Sequence, residues 1–434
     1  MFRVAARYLV VVCLLVSLWS AIRVAGITIF DVLAPICILI LLLASPADGA
    51  IPQDRDLRLI AESQWLFLIA SIASAVPSAA VGEHIAKCIA IAIAMIAMFV
   101  MANLIARKSI LSFNEAAFWL ALSAGISSGF VILQGQYRLF TSISPVFSAG
   151  TQEWLRATGL AEHPIEAGAI AGIGIVLALH LLLTPRVVTK NPFAAVVLLA
   201  AVFVDAYSMI SSASLTAVGS VAVALAAQLV LARRYGLLLA AVAVIPATIV
   251  PYLLASSSLL GDRLLQLFTL GDRFTTVQSR QSQLSETFGQ IDFTSFILGH
   301  GYSFNDLPQG LEIHNAALAS LFHFGVLGLI SQFFICAFLL RKVVSRHPAP
   351  MRGALLGVLL VFFGEYLTGP VFARRSDWIA AIVLASFMPY TTSRRSESLN
   401  GPRVSSFGYY QRKANGSADV QDRPYRNGAG TCES

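Results

Sequence analysis

Long apolar runs recur along the chain, and short polar segments separate most of them. A run of about 20 apolar residues is long enough to cross a bilayer as a helix, and in lipid a helix satisfies its own backbone groups. The pattern therefore predicts an all-α, polytopic integral membrane protein with about 12 transmembrane helices. The predicted spans are residues 8–24, 27–45, 60–80, 85–105, 112–134, 165–183, 192–210, 214–231, 236–255, 315–340, 353–369 and 376–391.

Two polar segments between these spans are long, and a third follows the last span. Residues 135–164 and 256–313 form loops of about 30 and about 60 residues, and loops of this length are usually functional. The second loop contains amphipathic stretches, typical of helices that lie at the membrane interface or pack over a cavity. Residues 392–434 are polar and rich in Ser, Gly, Asn and Arg, which predicts a disordered tail after a membrane domain of residues 1–391.

The basic residues of the short loops indicate the orientation. Lysine and arginine accumulate in cytoplasmic loops, and here they alternate from loop to loop across all the predicted spans. This alternation predicts that both termini are cytoplasmic and that both long loops are outside.

Composition narrows the functional classes. The chain is 57% apolar and 12% charged, whereas soluble domains carry roughly a quarter charged residues. The net charge of +7 comes mostly from short loops and the tail, as topology requires, so we expect no nucleic-acid partner. The five cysteines form no C-x-x-C pair, and no nucleotide-binding or zinc motif is present. We therefore expect neither a metal nor a cofactor.

Apart from one lysine near a helix start, the cations on the predicted outer face are all arginine. An arginine fork meets phosphate oxygens two at a time and keeps its charge, while lysine would serve solubility equally well. As a group, these outer-face arginines favour a site for a lipid-linked diphosphate. For any single arginine, the alternative is contact with lipid headgroups or with acidic neighbours. These arginines are Arg138, Arg156, Arg263, Arg273, Arg280, Arg374 and Arg375.

Two stretches show how loops join helices on this face. In "WLRATGLAEHPIEAGAIAG", Pro164 suits a helix start, and Gly168 and Gly172 provide a face for close helix packing. A structural role for His163 is as well supported there as a functional one. In "ILGHGYSFN", two glycines predict a tight turn ahead of "EIHNAALASLFHFGVLG", where Asn315 is a good N-cap residue.

His314 lies beside the positive end of this helix, at the predicted outer membrane surface. The positive end favours the neutral imidazole and also attracts anions. A neutral histidine can take a proton from a sugar hydroxyl, so His314 is a candidate base, although a single histidine at a membrane interface is more often incidental.

Polar residues inside the spans allow a competing hypothesis, a proton-coupled transporter with an intramembrane relay. Because these polar residues are scattered and lie mostly near helix ends, the sequence favours the transporter hypothesis less than a site on the outer face. The Asp54–Asp56 pair flanks an arginine in a short inner loop, so we interpret it as a solvated charge run rather than a metal–sugar-nucleotide site. The intramembrane polar residues are Asp31, Glu62, Glu115, His180, Asp205, His323 and Glu365.

Taken together, these motifs resemble the O-antigen ligase and polymerase superfamily of bacterial inner-membrane proteins, which have about twelve helices and one large periplasmic loop. "RATGLAEHPIEAGA" is similar to the family's Arg-x-x-Gly…His-Pro-Asn motif, with Ile165 where Asn is usual. "SRQSQLSETFGQIDFTSFILGHGYS" is similar to its Arg…Trp…Gly-x-Gly segment, with Phe288 near the usual Trp. "IHNAALASLFHFGVLGL" is similar to its His-Asn…Gly-x-x-Gly motif. Size and basic tail are similar to those of rhizobial exopolysaccharide polymerases.

The resemblance implies an enzyme that transfers a glycan from undecaprenyl diphosphate to an acceptor hydroxyl on the periplasmic side, without nucleotide or metal. Polymerisation of repeat units is our first hypothesis; an O-antigen ligase acting on lipid A–core and a flippase without catalysis are the alternatives. Expected partners are the lipid-linked oligosaccharide, membrane lipids, a chain-length regulator and a flippase. The implied catalytic residues are His314, Arg280 and Arg156, and the implied substrate-binding residues are Arg273, Arg263, His163, Asn315, Arg374 and Arg375.

Overall fold

Helices make up most of the fold. A computed structural model of the chain describes residues 2–24, 27–43, 55–143, 147–149, 154–184, 191–212, 214–240, 275–302, 313, 315–345, 347–369 and 375–388. The predicted tail, residues 241–255 of the predicted ninth span, and residues 256–274 and 303–312 of the second long loop lie outside these residues. At some described positions only the backbone is described.

The elements are as follows in chain order. The helices are α1 (Phe2–Val16), α2 (Ile29–Leu43), α3 (Arg55–Ser74), α4 (Val81–Arg107), α5 (Phe113–Tyr137), α6 (Pro164–Leu182), α7 (Pro192–Ser211), α8 (Leu215–Leu231), α9 (Thr275–Gln290), α10 (Phe293–Leu298), α11 (Ala316–Val344), α12 (Ala349–Tyr366) and α13 (Arg375–Ser386). Two short antiparallel hairpins join β1 (Arg23–Val24) to β2 (Ile27–Thr28) and β3 (Phe147–Ala149) to β4 (Trp154–Arg156).

Within the described residues, six helices are long and apolar enough to cross a membrane, and this indicates a membrane protein. Two shorter apolar helices, α2 and α8, accompany them. The six are Val81–Arg107, Phe113–Tyr137, Pro164–Leu182, Pro192–Ser211, Ala316–Val344 and Ala349–Tyr366.

Helix α4 shows the polarity expected of a helix in contact with lipid. Five large apolar residues are exposed at intervals of three or four, so they form one stripe about 22 Å long on a single face. In water, an uncovered apolar stripe of this size would be unfavourable, but lipid tails solvate it. The stripe comprises Ile85, Ile89, Ile93, Ile96 and Val100.

Helix α6 is the centre of the bundle, because it packs against α5, α7, α8 and α12 and nearly all its residues are buried. Its glycines permit the close approach. A Cβ at Gly168 would lie 2.9 Å from the Ala217 Cβ, and one at Gly172 would lie 2.5 Å from a Val221 methyl group. Both contacts are with α8, which confirms the packing face predicted from the sequence.

Side-chain caps explain where several helices begin. Ser112 and Glu115 form a reciprocal capping box at the start of α5, with the Ser112 Oγ accepting from the Glu115 N–H. The Asn191 and Ser214 side chains accept from the N–H groups of Ala194 and Ala217 and cap α7 and α8. The cap at Ser214 follows the end of α7 at Ser211 and confirms that a short Ser-rich break divides this region into two helices.

Several helices differ from the predicted spans at their ends. The first span was predicted at residues 8–24, but α1 ends at Val16, and the chain then turns into the β1–β2 hairpin. Here the Trp19 indole N–H donates to the Ser123 carbonyl of α5 at 3.2 Å. The third was predicted at residues 60–80, whereas α3 occupies Arg55–Ser74. The hydropathy pattern marks apolar residues, not the hydrogen-bonded turns with which a helix begins and ends.

The amphipathic stretch of the second long loop is helical over α9, as predicted, and the short α10 follows it. Helix α11 is interrupted at Gly325, whose φ of 66° and ψ of −168° are not helical. We call this position the α11 break. Only glycine adopts this conformation readily, and a mid-helix interruption leaves carbonyls without their usual intrahelical partners.

Candidate functional site

Three of the sequence motifs lie at one end of the bundle, which we call the Asn315 end. Here α6, α8 and α11 begin and α5, α7 and α12 end. The Arg156 Nε–H donates to the Ser212 carbonyl after α7 at 2.9 Å, and the Asn315 side-chain amide donates to the Leu367 carbonyl after α12 at 3.4 Å. The end of α12 packs in turn against the start of α8. A chain of contacts thus links the segment that bears Arg156 to the segment that bears Asn315.

The segment Arg156–His163, which we call the 156–163 turn, is held against α5. Gly159 has a φ of 64°, and a Cβ there would lie 2.4 Å from the Ser127 carbonyl oxygen. The Gln134 side chain accepts from the Gly159 N–H at 2.8 Å and donates to the Gly159 carbonyl at 3.1 Å. Because both backbone groups of a buried glycine have partners, the turn has one defined conformation.

The far side of the same turn contacts the first hairpin. The Ala21 N–H donates to the Leu160 carbonyl at 2.9 Å, and Arg23 forms an ion pair with Glu162. The buried Glu166 of α6 accepts from the Glu162 N–H at 3.0 Å. The turn is therefore fixed by α5, by α6 and by the β1–β2 hairpin, which together position Arg156 at the end of α7.

Two predicted binding residues are helix caps. The His163 Nδ1 accepts from the Ile165 N–H at 3.1 Å, with Pro164 at the first position of α6. The Asn315 Oδ1 accepts from the Leu318 N–H at 2.9 Å, which confirms the predicted N-cap. Both side chains satisfy helix-start donors, so the described contacts of His163 and Asn315 are structural.

Residues Gly299–Tyr302, which we call the docked turn, lie against the α11 break. The His300 N–H donates to the Phe322 carbonyl at 2.7 Å, and the Gly301 N–H donates to the His323 carbonyl at 3.0 Å. The turn thereby supplies donors to carbonyls that the interrupted helix does not pair. Gly299 and Gly301 have φ values of 79° and 93°, which confirms the tight turn predicted there.

Side chains reinforce this docking on both sides. The His323 ring nitrogen Nδ1 is 2.7 Å from the Gly301 carbonyl oxygen, so it carries the proton and donates. The His300 ring stacks on Phe322 with centroids 4.3 Å apart. Tyr302 is held through its backbone, because its N–H donates to the His84 Nδ1 at 2.7 Å.

His84 belongs to the first turn of α4, and it joins two elements to the docked turn. Its Nε2 is 2.7 Å from the Ser71 carbonyl oxygen of α3, so this nitrogen carries the proton. Its Nδ1 is then the acceptor for Tyr302, and the ring is in the neutral form. A single histidine in a defined tautomer connects α3, α4 and the docked turn.

Asp292 lies seven residues before the docked turn in the chain and is an acidic group whose pKa is shifted. Its carboxylate accepts from the Ser295 N–H and hydroxyl, each at 2.7 Å, and caps α10. The hydrogen bond from the Ser295 backbone is the main cause that lowers the pKa of Asp292 below its ordinary value, and the hydrogen bond from the Ser295 hydroxyl is the second. The carboxylate is therefore charged at neutral pH, on the chain segment that leads into the docked turn.

The predicted site residues divide into three groups. Arg156, His163 and Asn315 are described and lie at the Asn315 end. Arg280 is within α9 and Arg375 begins α13, but only their backbones are described. The remaining four lie outside the described residues: His314, Arg263, Arg273 and Arg374.

Sequence reasoning missed the residues that assemble this end. His84 lies one position before the fourth predicted span, and Gln134 closes the fifth, so neither stood out as polar inside an apolar run. A histidine in the first turn of a helix and a glutamine in the last turn were the available signals. Their partners Tyr302 and Gly159 are distant in sequence, and only the folded chain identifies them.

The arrangement provides a rigid frame at one end of a helical bundle. It holds Arg156, the two helix caps His163 and Asn315, and the anchored 156–163 turn. An arginine held in this way suits recognition of an anionic group. No family model matches the chain, and no curated protein matches it.

Proposed function

We propose that the protein is a metal-independent inverting glycosyltransferase that polymerises undecaprenyl-diphosphate-linked oligosaccharide repeat units into exopolysaccharide or O-antigen. It acts at the periplasmic face of a bacterial inner membrane. In this proposal the chain has twelve membrane spans and cytoplasmic termini, and the Asn315 end faces the periplasm. The alternation of basic short loops supports this orientation.

The docking of residues Gly299–Tyr302 onto α11 is the observation that carries the proposal. Tyr302 precedes the segment that contains His314, and Asn315 follows it directly. Both flanks are anchored, Tyr302 on His84 and Asn315 on its own helix start. Asn315, which follows the candidate base in the chain, lies at the end of the bundle that also holds Arg156, and this supports a site made from both long loops.

The proposed reaction uses these residues as follows. The oxygen of an acceptor hydroxyl attacks the anomeric carbon of the donor sugar, and its proton passes to the His314 imidazole. The bond between that carbon and the diphosphate breaks, and the lipid diphosphate leaves with the electron pair. Arg156 and Arg280 stabilise the negative charge that develops on the diphosphate, because preorganised donors need no rearrangement. Attack opposite the leaving group inverts the sugar.

The local contacts of Arg156 favour a role that lysine could not take over. Its Nε–H is used to fix the side chain on the Ser212 carbonyl, and a planar guanidinium held at Nε presents its terminal nitrogens in a defined direction. A lysine has one flexible ammonium group and cannot both anchor and present a fork. We therefore expect Arg156→Lys to lose most of the activity while the charge is kept.

Analysis of lipid-linked glycans in a deletion strain complemented with variants tests the proposal. We expect single repeat units on the carrier with His314→Ala, Arg156→Ala and Arg156→Lys, and polymer with the wild type. Arg138→Ala is the matched control, because Arg138 is an exposed arginine of the same first loop. All variants are compared at equal protein levels in the membrane.

The deletion strain itself separates the alternative functions. Polymer that stays on the lipid carrier identifies a ligase, and repeat units that remain on the cytoplasmic side identify a flippase. Either result would replace the polymerase proposal. Wild-type polymer from the His314→Ala strain would remove His314 from the chemistry.

A further inference from the structure

Asp205 lies in the interior of the bundle, away from the 156–163 turn and the docked turn. It belongs to the inward face of α7, which packs against α5 and α6, and its relative exposure is 0%. The opposite face of α7 carries exposed apolar residues, including Phe203, which is 74% exposed. Six residues separate Asp205 from the end of α7, so it lies about 9 Å below the Asn315 end.

Four buried side-chain oxygens without a hydrogen-bond partner collect around this position. They are both carboxylate oxygens of Asp205 and the hydroxyl oxygens of Ser128 and Ser208. The Ser128 hydroxyl of α5 faces the carboxyl group without the geometry of a hydrogen bond. Ser208 is one turn further along α7, three residues from Asp205, and therefore on the same face.

The neighbouring helix α6 approaches this carboxyl group closely at a glycine. A Cβ at Gly174 of α6 would lie 2.3 Å from the Asp205 Oδ2 and 2.7 Å from the Ala124 Cβ. The carboxyl group thus lies against the backbone of α6 at Gly174. Any larger residue at position 174 would displace it.

No positive side chain of the adjoining helices neutralises this carboxyl group. Helices α5, α6, α7 and α8 contain neither lysine nor arginine. The buried titratable groups nearest along α6 are Glu166 and His180, which are about 12 Å and about 9 Å along the helix from Gly174. His180 is engaged with the Asn114 side chain at 3.3 Å. Glu115 and Tyr137 lie at the two ends of α5, and Tyr207 follows Asp205 by two residues on α7, where its hydroxyl accepts from the Gln136 side chain.

A fully buried carboxylate without a partner is unfavourable by many kcal/mol, so the group must be neutralised by something that it binds. Oxygen ligands from a carboxylate and hydroxyls suit small hard cations, and acidic residues inside membrane bundles commonly take part in ion or proton pathways. We propose that Asp205, Ser128 and Ser208 form a binding site for a monovalent cation, either a proton or a sodium ion. This site is independent of the glycosyltransferase proposal.

Two buried serines lie between Asp205 and the Asn315 end. Ser208 and Ser212 follow Asp205 by three and seven residues, so all three side chains lie on the same face of α7 and its C-cap. Each of the three residues is 0% exposed. The carbonyl of Ser212 is the group that accepts from Arg156. A cation that enters at this end would pass two hydroxyl groups before it reaches the carboxylate.

The two cations are distinguished with the full-length protein in lipid nanodiscs. In one arm, infrared difference spectra of wild type and Asp205→Asn at neutral pH report the C=O band of a protonated carboxyl group. In the other, thermal unfolding is compared in sodium chloride and in choline chloride at equal ionic strength. A proton gives a band that Asp205→Asn removes, and a sodium ion gives a sodium-dependent stabilisation that Asp205→Asn removes.

Asp292→Asn is the matched control, because Asp292 is an aspartate outside the bundle, and it is expected to keep both signals. Ser128→Ala and Ser208→Ala are expected to shift the band or to weaken the sodium effect, and they provide the test if Asp205→Asn does not fold. The proposal is overturned if the wild type shows neither a carboxyl band lost in Asp205→Asn nor a sodium-dependent stabilisation. It is also overturned if the two serine variants leave the observed signal unchanged.

Discussion

Gly325→Ala is the most direct test of the docking between the α11 break and the docked turn. Gly325 has a φ of 66° and a ψ of −168°, a region nearly restricted to glycine, and an alanine there costs about 1–3 kcal/mol. The added Cβ would lie 2.2 Å from the Ile297 carbonyl oxygen and 2.9 Å from the Gly299 nitrogen. These contacts are with backbone atoms, so no side chain can move aside, and the turn itself must shift.

A shift of the turn breaks two backbone hydrogen bonds. They join the His300 N–H to the Phe322 carbonyl at 2.7 Å and the Gly301 N–H to the His323 carbonyl at 3.0 Å. Each contributes about 1 kcal/mol. Together with the backbone strain, the substitution is expected to lower the free energy of unfolding by about 4 kcal/mol, which is roughly a thousandfold in the equilibrium constant.

The assay is reversible unfolding in mixed detergent micelles, combined with hydrogen exchange at the amides of His300 and Gly301. Gly219→Ala is the matched control, because Gly219 is within helix α8 and a Cβ there meets nothing within 4 Å. Helix propensity predicts that this control is neutral or stabilised by up to about 1 kcal/mol. Equal stability and equal amide protection in Gly325→Ala and Gly219→Ala would refute the docking argument.

Three further predictions concern the caps and turns. Gln134→Leu removes the two hydrogen bonds between the Gln134 side chain and the Gly159 backbone and is expected to destabilise the protein by about 2 kcal/mol in thermal unfolding, whereas loss of an exposed side chain would have little effect. Ser112→Ala removes the capping box of α5 and is expected to cost about 1 kcal/mol, with Ser112→Thr close to wild type. Because the pKa of Asp292 is lowered in the folded protein, its contribution is complete above the ordinary aspartate pKa of about 3.9 and is lost as the pH falls through the lower folded value. Protection of the Ser295 amide against hydrogen exchange should decrease over that acidic range, and in Asp292→Asn it should not; a pH-independent wild type would contradict this.

Local sequence determined the helices and many of their starts, because these depend on neighbours within one turn. The apolar runs located the six long apolar helices among the described residues, and Asn315 was recognisable as a cap from its position alone. The small residues of α6 indicated a packing face for the same reason, since Gly168 and Gly172 recur at a helical interval. The ends of α1 and α3 were harder to predict, because hydropathy does not record hydrogen bonds.

Tertiary structure alone decided which segments meet at the Asn315 end. The sequence motifs indicated Arg156 and the Gly299–Gly301 turn as parts of a candidate site. They did not indicate that the Ser212 carbonyl anchors Arg156 or that the turn donates hydrogen bonds to α11 beside its break. The roles of His84 and Gln134 depend on partners 218 and 25 residues away. Such pairings depend on how the helices pack against one another, whereas the helical repeat of apolar residues in the sequence depends only on neighbours within one or two turns and does not predict them.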